Sequence, residues 1–197
     1  MTEKEKMLSG RPYQAFGEEL FRERQYAKEL LFDFNSARPS EIAKQNEIIK
    51  KLFGGIKGDF HIEAPFRCDY GYNLSIGKDF YSNYNCTILD CAEVTIGDNV
   101  MFAPNVSLFT AGHPIHHEPR IEGLEYAFPI TIGNNVWIGG GVIINPGVTI
   151  GDNVVIGAGS VVTKDIPSNV VAVGNPCKIV KEITDEDKGK YFKNLMF

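Results

Sequence analysis

Ile132-Gly-Asn-Asn-Val-Trp137, Ile138-Gly-Gly-Gly-Val-Ile143, Ile144-Asn-Pro-Gly-Val-Thr149, Ile150-Gly-Asp-Asn-Val-Val155 and Ile156-Gly-Ala-Gly-Ser-Val161 follow one another without a gap, and Val162 opens a sixth unit in step. Each unit is led by an aliphatic residue, with Gly133, Gly139, Gly151 and Gly157 directly behind four of the leaders. The leader and the residue four places on, Val154 and Ser160 in the last two full units, point inward. The Asn or Gly between them accepts the positive φ of a corner. Each unit is then one short strand and one turn. About three units close a coil of a triangular prism, and stacked leaders bury one another in columns that no single coil completes. The expected fold is a parallel β-helix.

Weaker units lie upstream: Ile76-Gly-Lys-Asp-Phe80, Ile96-Gly-Asp-Asn-Val100 and Phe102-Ala-Pro-Asn-Val106, with Leu108 opening the next. An αβ domain with glycine-rich turns also shows Ile-Gly pairs, but six leaders in register argue against it. The coil is read as residues 58–183. Ahead of it, residues 1–57 form a helical segment: Leu20, Phe21, Leu30, Leu31 and Phe34 recur among charged residues, and Ile42, Ile48, Ile49, Leu52 and Phe53 repeat the theme. The second helix starts near Pro39-Ser40-Glu41 and stops at Gly54-Gly55. Residues 184–197 are a tail in which Thr184 and Asp187 suggest the cap of a short helix.

With 197 residues, 43% hydrophobic and 23% charged, the chain suits one compact soluble domain. A net charge of −5 without a dense basic run argues against general nucleic-acid binding. The polar N-terminus and the lack of a long apolar run predict a cytoplasmic protein without membrane attachment. Cys68, Cys86, Cys91 and Cys177 show no CxxC spacing, so packed, reduced thiols are expected rather than a zinc cluster or disulfides.

The repeat lapses between Leu108 and Ile130 and then resumes in register. A coil tolerates an insertion only by extruding it from a corner, so residues 109–129 are predicted to form a projecting loop. Loops of roughly 20 residues in a compact domain are usually functional or disordered. Three of the four histidines sit here.

Tyr81-Ser-Asn83-Tyr-Asn85, Leu89-Asp90, Gly112-His113-Pro-Ile-His116, Phe128-Pro-Ile-Thr-Ile-Gly-Asn-Asn-Val-Trp137 and Gly157-Ala-Gly-Ser-Val-Val-Thr-Lys164, in this order, resemble the maltose and galactoside O-acetyltransferases. The resemblance extends over nearly the whole chain, through Gly174-Asn-Pro-Cys-Lys178. It implies a left-handed coil, a homotrimer with active sites between subunits, and acetyl transfer from acetyl-CoA to a sugar hydroxyl, with no metal. The hand cannot come from the repeat, since parallel crossovers elsewhere are almost always right-handed.

A sugar hydroxyl needs a base to remove its proton as it attacks a thioester, and imidazole, with an unperturbed pKa of about 6.5, suits the task. His113 is the candidate, at the loop neck between Gly112 and Pro114. His116 and His117 lie farther out and read as loop structure. The resemblance puts Asn83 and Asp90 in the acceptor cleft, Asp69 and Tyr81 on its wall, and Arg24 at a sugar contact. It assigns Trp137, Gly140, Ala158, Thr163 and Lys164 to the cofactor, with Lys178 and Lys181 supplying charge. Trp137, on a coil exterior, is expected to touch cofactor or a neighbouring subunit. Two positions depart from the galactoside pattern: Cys91 replaces a second aspartate and Ala15 an acidic residue. The run Cys68-Asp69-Tyr70-Gly71 looks more like the maltose branch, which points to a glucosyl acceptor. Two other classes remain: a zinc enzyme of the γ-carbonic-anhydrase kind, whose ligands are spread over coils rather than crowded into one loop, and a non-catalytic scaffold, which leaves the loop unexplained.

Overall fold

The computed structural model describes residues 1–193 and 195–197. The leaders form strands of two to four residues, and successive coils add these strands in parallel to three walls. One wall holds Gly55–Ile56, Leu74–Ile76, Val94–Ile96, Ile130–Ile132 and Thr149–Ile150. The second runs from Phe60–Ile62 through Phe80–Ser82, Met101–Phe102, Trp137–Ile138 and Val155–Ile156 to Val170–Val173. The third holds Phe66–Cys68, Cys86–Leu89, Ser107–Phe109, Ile143–Ile144 and Val161–Val162. The chain visits the walls in that order on every coil, giving the expected β-helix of about 6 turns.

Register makes the columns explicit. Ile76, Ile96, Ile132 and Ile150 are successive partners, as are Phe102, Ile138 and Ile156, and Ile88, Leu108, Ile144 and Val162. All are buried, and so are the residues four places after each leader: Val136, Val142, Val148, Val154 and Ser160. Burial of one such aliphatic side chain stabilises by about 1.5–3 kcal/mol. Between the first and second walls, Asn99, Asn135, Asn153 and Asn169 take φ of 55°, 57°, 54° and 62°. Between the second and third, Asn85, Asn105, Gly141 and Gly159 take φ of 60°, 63°, 67° and 71°. Asn tolerates this region better than other side-chain-bearing residues because its short amide bonds locally. Here Asn99 Nδ2 donates to Asn135 Oδ1 (3.1 Å) and Asn153 Nδ2 to Asn169 Oδ1 (2.9 Å), tying neighbouring coils.

A stack of coils needs its apolar end covered. Helix α1 (Glu3–Leu8) is followed by α2 (Glu18–Ser36) and α3 (Ile42–Leu52). Ala27, Leu31 and Phe34 of α2 and Ile48, Ile49 and Leu52 of α3 join the coil core. The short α1 was not expected, although its signal is present: the Thr2 hydroxyl accepts from Glu5 N and the Glu5 carboxylate accepts from Thr2 N, a reciprocal cap. The first strand pair, Gly55–Ile56 with Leu74–Ile76, begins just before residue 58.

The insertion is an ordered arm. Ala111–Gly112 pairs antiparallel with Leu124–Ala127, which pairs in turn with Tyr13–Gln14, and the short helix α4 (His117–Ile121) forms the tip. A second core of Met7, Tyr13, Leu20, Tyr70, Cys91 and Ala127 seals the arm base against the helical cap. At the other end Lys178–Glu182 returns antiparallel along Val170–Val173. The short helix expected after Thr184 is a 3-10 turn, Asp185–Gly189, with Thr184 N donating to Asp187 Oδ2 (3.0 Å). Cys68, Cys86 and Cys91 are buried free thiols and Cys177 is partly exposed. No helix among the described residues is long and apolar enough to cross a membrane.

Candidate active site

Three successive coils turn the same corner, from the third wall to the first, and each leaves polar groups there. Asp69 follows strand Phe66–Cys68, Asp90 and Cys91 follow Cys86–Leu89, and the arm carrying His113 follows Ser107–Phe109. Asp69, Cys91, His113 and Glu125 line one concavity, with Leu89 and Phe109 as its apolar wall.

His113 leaves the arm at its neck. A Cβ on Gly112 would fall 2.5 Å from the Tyr126 hydroxyl, so a side chain at this point would have to displace the phenol ring that lies over the neck. The imidazole is 55% exposed. Its Nδ1 lies 3.4 Å from the Leu124 carbonyl oxygen and its Nε2 lies 3.8 Å from Glu125 Oε1. A proton on Nδ1 therefore faces a backbone acceptor, which leaves the Nε2 lone pair directed at the concavity. Glu125 was missed by the sequence reading. Leu124-Glu-Tyr-Ala marks a strand, but only its pairing with Tyr13–Gln14 aims the carboxylate, whose Oε2 accepts from the Tyr13 hydroxyl at 2.8 Å.

Asp90 does not present its carboxylate to the cleft as expected. The residue is fully buried, and its oxygens accept from the backbone N–H of Asp69 (3.0 Å), Tyr70 (2.8 Å) and Gly71 (2.7 Å). Burial pushes its carboxyl up to about 7, against the pull of those amides. Of the two aspartates, Asp69 is the one that faces the concavity. Burial raises it as well, while the Cys91 thiol, 3.5 Å from Oδ2, and the charge of Arg24 oppose the rise.

Arg24, expected at a sugar contact, donates Nη1 to the Tyr70 hydroxyl and Nη2 to the Ala15 carbonyl, both at 2.6 Å. It ties the helical cap to the Asp69–Gly71 turn beside the concavity. Tyr81 and Asn83 are not brought to His113 within the chain. They sit at the end of the second wall, where Tyr81 stacks on His61 with ring centroids 5.8 Å apart and Asn83 Oδ1 accepts from Tyr84 N at 2.8 Å.

The expected cofactor residues divide the same way. Trp137 lies on the outer face of the second wall, 51% exposed, and Gly140 and Ala158 follow at the corner that also carries Asn83. A Cβ on Gly140 would meet the Pro104 carbonyl at 3.3 Å, so this corner is a smooth strip of small residues beside an indole. Thr163 and Lys164 are exposed at the opposite corner, below His113. Lys178 and Lys181 lie on the strand Lys178–Glu182 that returns along Val170–Val173, with Lys181 paired to Asp187. His116 and His117 stack on each other at the arm tip, centroids 4.7 Å apart. Among the described residues no group of three or more His, Cys, Asp or Glu side chains could hold a metal ion.

Two family models match the chain, the maltose acetyltransferase hexapeptide capping motif over residues 6–58 and the bacterial transferase hexapeptide over residues 129–164. Galactoside O-acetyltransferase of Escherichia coli K12 is 53% identical over 190 residues, 96% of this chain and 94% of that protein. A maltose O-acetyltransferase from Clostridium difficile 630 superposes with a TM-score of 0.92 at 57% identity, covering 94% of this chain and 99% of its own. A galactoside acetyltransferase in complex with coenzyme A superposes at 0.97 with 52% identity, covering 100% and 98%. With fold, capping helices and nearly full-length identity in agreement, the chain belongs to the maltose and galactoside O-acetyltransferase family of hexapeptide-repeat acyltransferases.

Proposed function

We propose that this protein transfers acetyl from acetyl-CoA to a hydroxyl of a glucosyl- or galactosyl-type sugar, with His113 as general base, at the seams of a homotrimer. The observation that carries the reading is the setting of His113: one ring nitrogen against a backbone carbonyl, the other open to a concavity walled by Asp69 and Glu125. The Asp69 carboxylate suits recognition of a neighbouring sugar hydroxyl. As the acceptor oxygen bonds to the thioester carbonyl carbon, its proton passes to Nε2, and the departing thiolate of CoA takes that proton when the carbon–sulfur bond breaks. The strip of Gly140 and Ala158 beside Trp137 suits pantetheine and an adenine ring, and Lys164, Lys178 and Lys181 suit phosphates. The relatives named above, one of them in complex with coenzyme A, support the donor.

The division of residues between two corners supports the trimer. Asp69 and His113 occupy one edge of the prism, and Asn83, Trp137 and Gly140 occupy another. Edges of one rigid prism cannot approach each other, whereas a three-fold axis brings unlike edges of neighbouring copies together. The test is thiol release from acetyl-CoA across glucosides, maltosides and galactosides. His113→Ala is expected to lose activity by at least about a hundredfold while keeping its assembly state. Near-normal turnover in that variant removes His113 from the mechanism.

A further inference from the structure

Between Glu125 and Asp69, the two carboxylates of the cleft, stand two side chains that the acetyl-transfer reading leaves idle. Tyr13 is 1% exposed and Cys91 4%, and both belong to the small core under the arm. The Tyr13 hydroxyl donates to Glu125 Oε2 at 2.8 Å, and the Cys91 thiol lies 3.5 Å from Asp69 Oδ2. Phenol and thiol pack in the same small core, so the two hydrogen-bonded pairs stand together between the walls of the cleft.

We infer that Tyr13 and Cys91 form a positioning bridge, in which Tyr13 aims Glu125 at His113 and Cys91 aims Asp69 at the acceptor. This inference rests on the proposed acetyl transfer to a sugar. A buried phenol and a buried thiol are neutral donors, and each hands a single hydrogen bond to a carboxylate that would otherwise turn toward solvent or repel its counterpart. Burial raises both groups well above their usual range, so neither loses its proton near neutrality. The bridge is anchored from the cap: strand Tyr13–Gln14 pairs with the strand bearing Glu125, and Arg24 fixes the Ala15 carbonyl two residues on. The helical cap thus reaches into the chemistry through one hydroxyl.

The two halves separate kinetically. Tyr13→Phe keeps the ring in the core and removes only the hydroxyl, and about a tenfold fall in kcat is expected, since it loosens the carboxylate that stabilises the imidazolium once Nε2 has taken the proton. The KM for acetyl-CoA stays at the parent value. Cys91→Ala is expected to raise the acceptor KM with kcat nearly unchanged, and Cys91→Ser, which restores a donor, to bring the KM back. A merely structural role lowers the melting temperature without this split or this rescue. A crystal structure of the Tyr13→Phe protein without acceptor reads the bridge independently of activity, and Glu125 is expected to swing away from His113. Glu125 unmoved, or Tyr13→Phe kinetics equal to the parent, or Cys91→Ser no better than Cys91→Ala, overturns the inference. An unmutated protein that acetylates no sugar overturns the functional reading instead, and the position of Glu125 still decides the bridge.

Discussion

Asp69 and Asp90 stand at the same corner one coil apart, and their surroundings give them different work. Asp69 keeps an oxygen on the cleft, whereas Asp90 is enclosed and holds the Asp69–Gly71 turn through three amides. An aspartate that burial pushes up from the ordinary carboxylate range to about 7 binds its proton more tightly in the native chain. Its contribution to stability is therefore fully present below the unfolded value and shrinks as pH climbs through about 7. Asp90→Asn removes that titration. The melting-temperature advantage of the unmutated chain over this variant is expected to narrow as pH rises from about 4 to about 7 and to level off above that, and an advantage that widens over this range would contradict the direction of the shift.

The corners and the arm are the elements that turn a repetitive coil into a site. An L-residue held in the left-handed region costs roughly 1–2 kcal/mol, a cost that Asn and Gly largely avoid. Asn153, at φ 54°, is a clean place to measure this. Asn153→Ala is expected to destabilise by about 1–2 kcal/mol in denaturant unfolding, and Asn153→Gly by clearly less. Equal losses in the two would assign the effect to the Asn153–Asn169 amide bond rather than to the backbone. The arm interrupts the other kind of corner. Its strands pair with each other and with Tyr13–Gln14, so the insertion is rigid at its base, where His113 sits, and exposed at its tip, where Ile115 is 97% exposed.

At the level of the whole protein, residues proposed for one reaction lie on two edges of one prism. A mass in solution of about three times 21.9 kDa by light scattering is the expected result. A sharper test uses two inactive variants, His113→Ala and Asn83→Ala, co-expressed or refolded together. If each site takes His113 from one copy and Asn83 from the next, mixed assemblies contain some seams with both residues and recover activity. No recovery in demonstrably mixed assemblies would place the two residues in the same copy or remove Asn83 from the site.

The six-residue period from Ile132 to Val162 was enough to specify the coil, its inward columns and the extrusion of the insertion, though not which corner it leaves, because burial of stacked leaders depends on spacing alone. The arm was legible for a similar reason: a registered coil broken by a histidine-bearing segment marks its own exception. The roles of Asp90, Arg24 and Glu125 were not. Each depends on which backbone amide, carbonyl or hydroxyl lies opposite, and those partners come from positions 9 to 112 residues away. A carboxylate reads the same in sequence whether it faces a ligand or three buried amides. Only the packing of cap, coil and arm decides between them, since solvent access and donor geometry are properties of the folded corner.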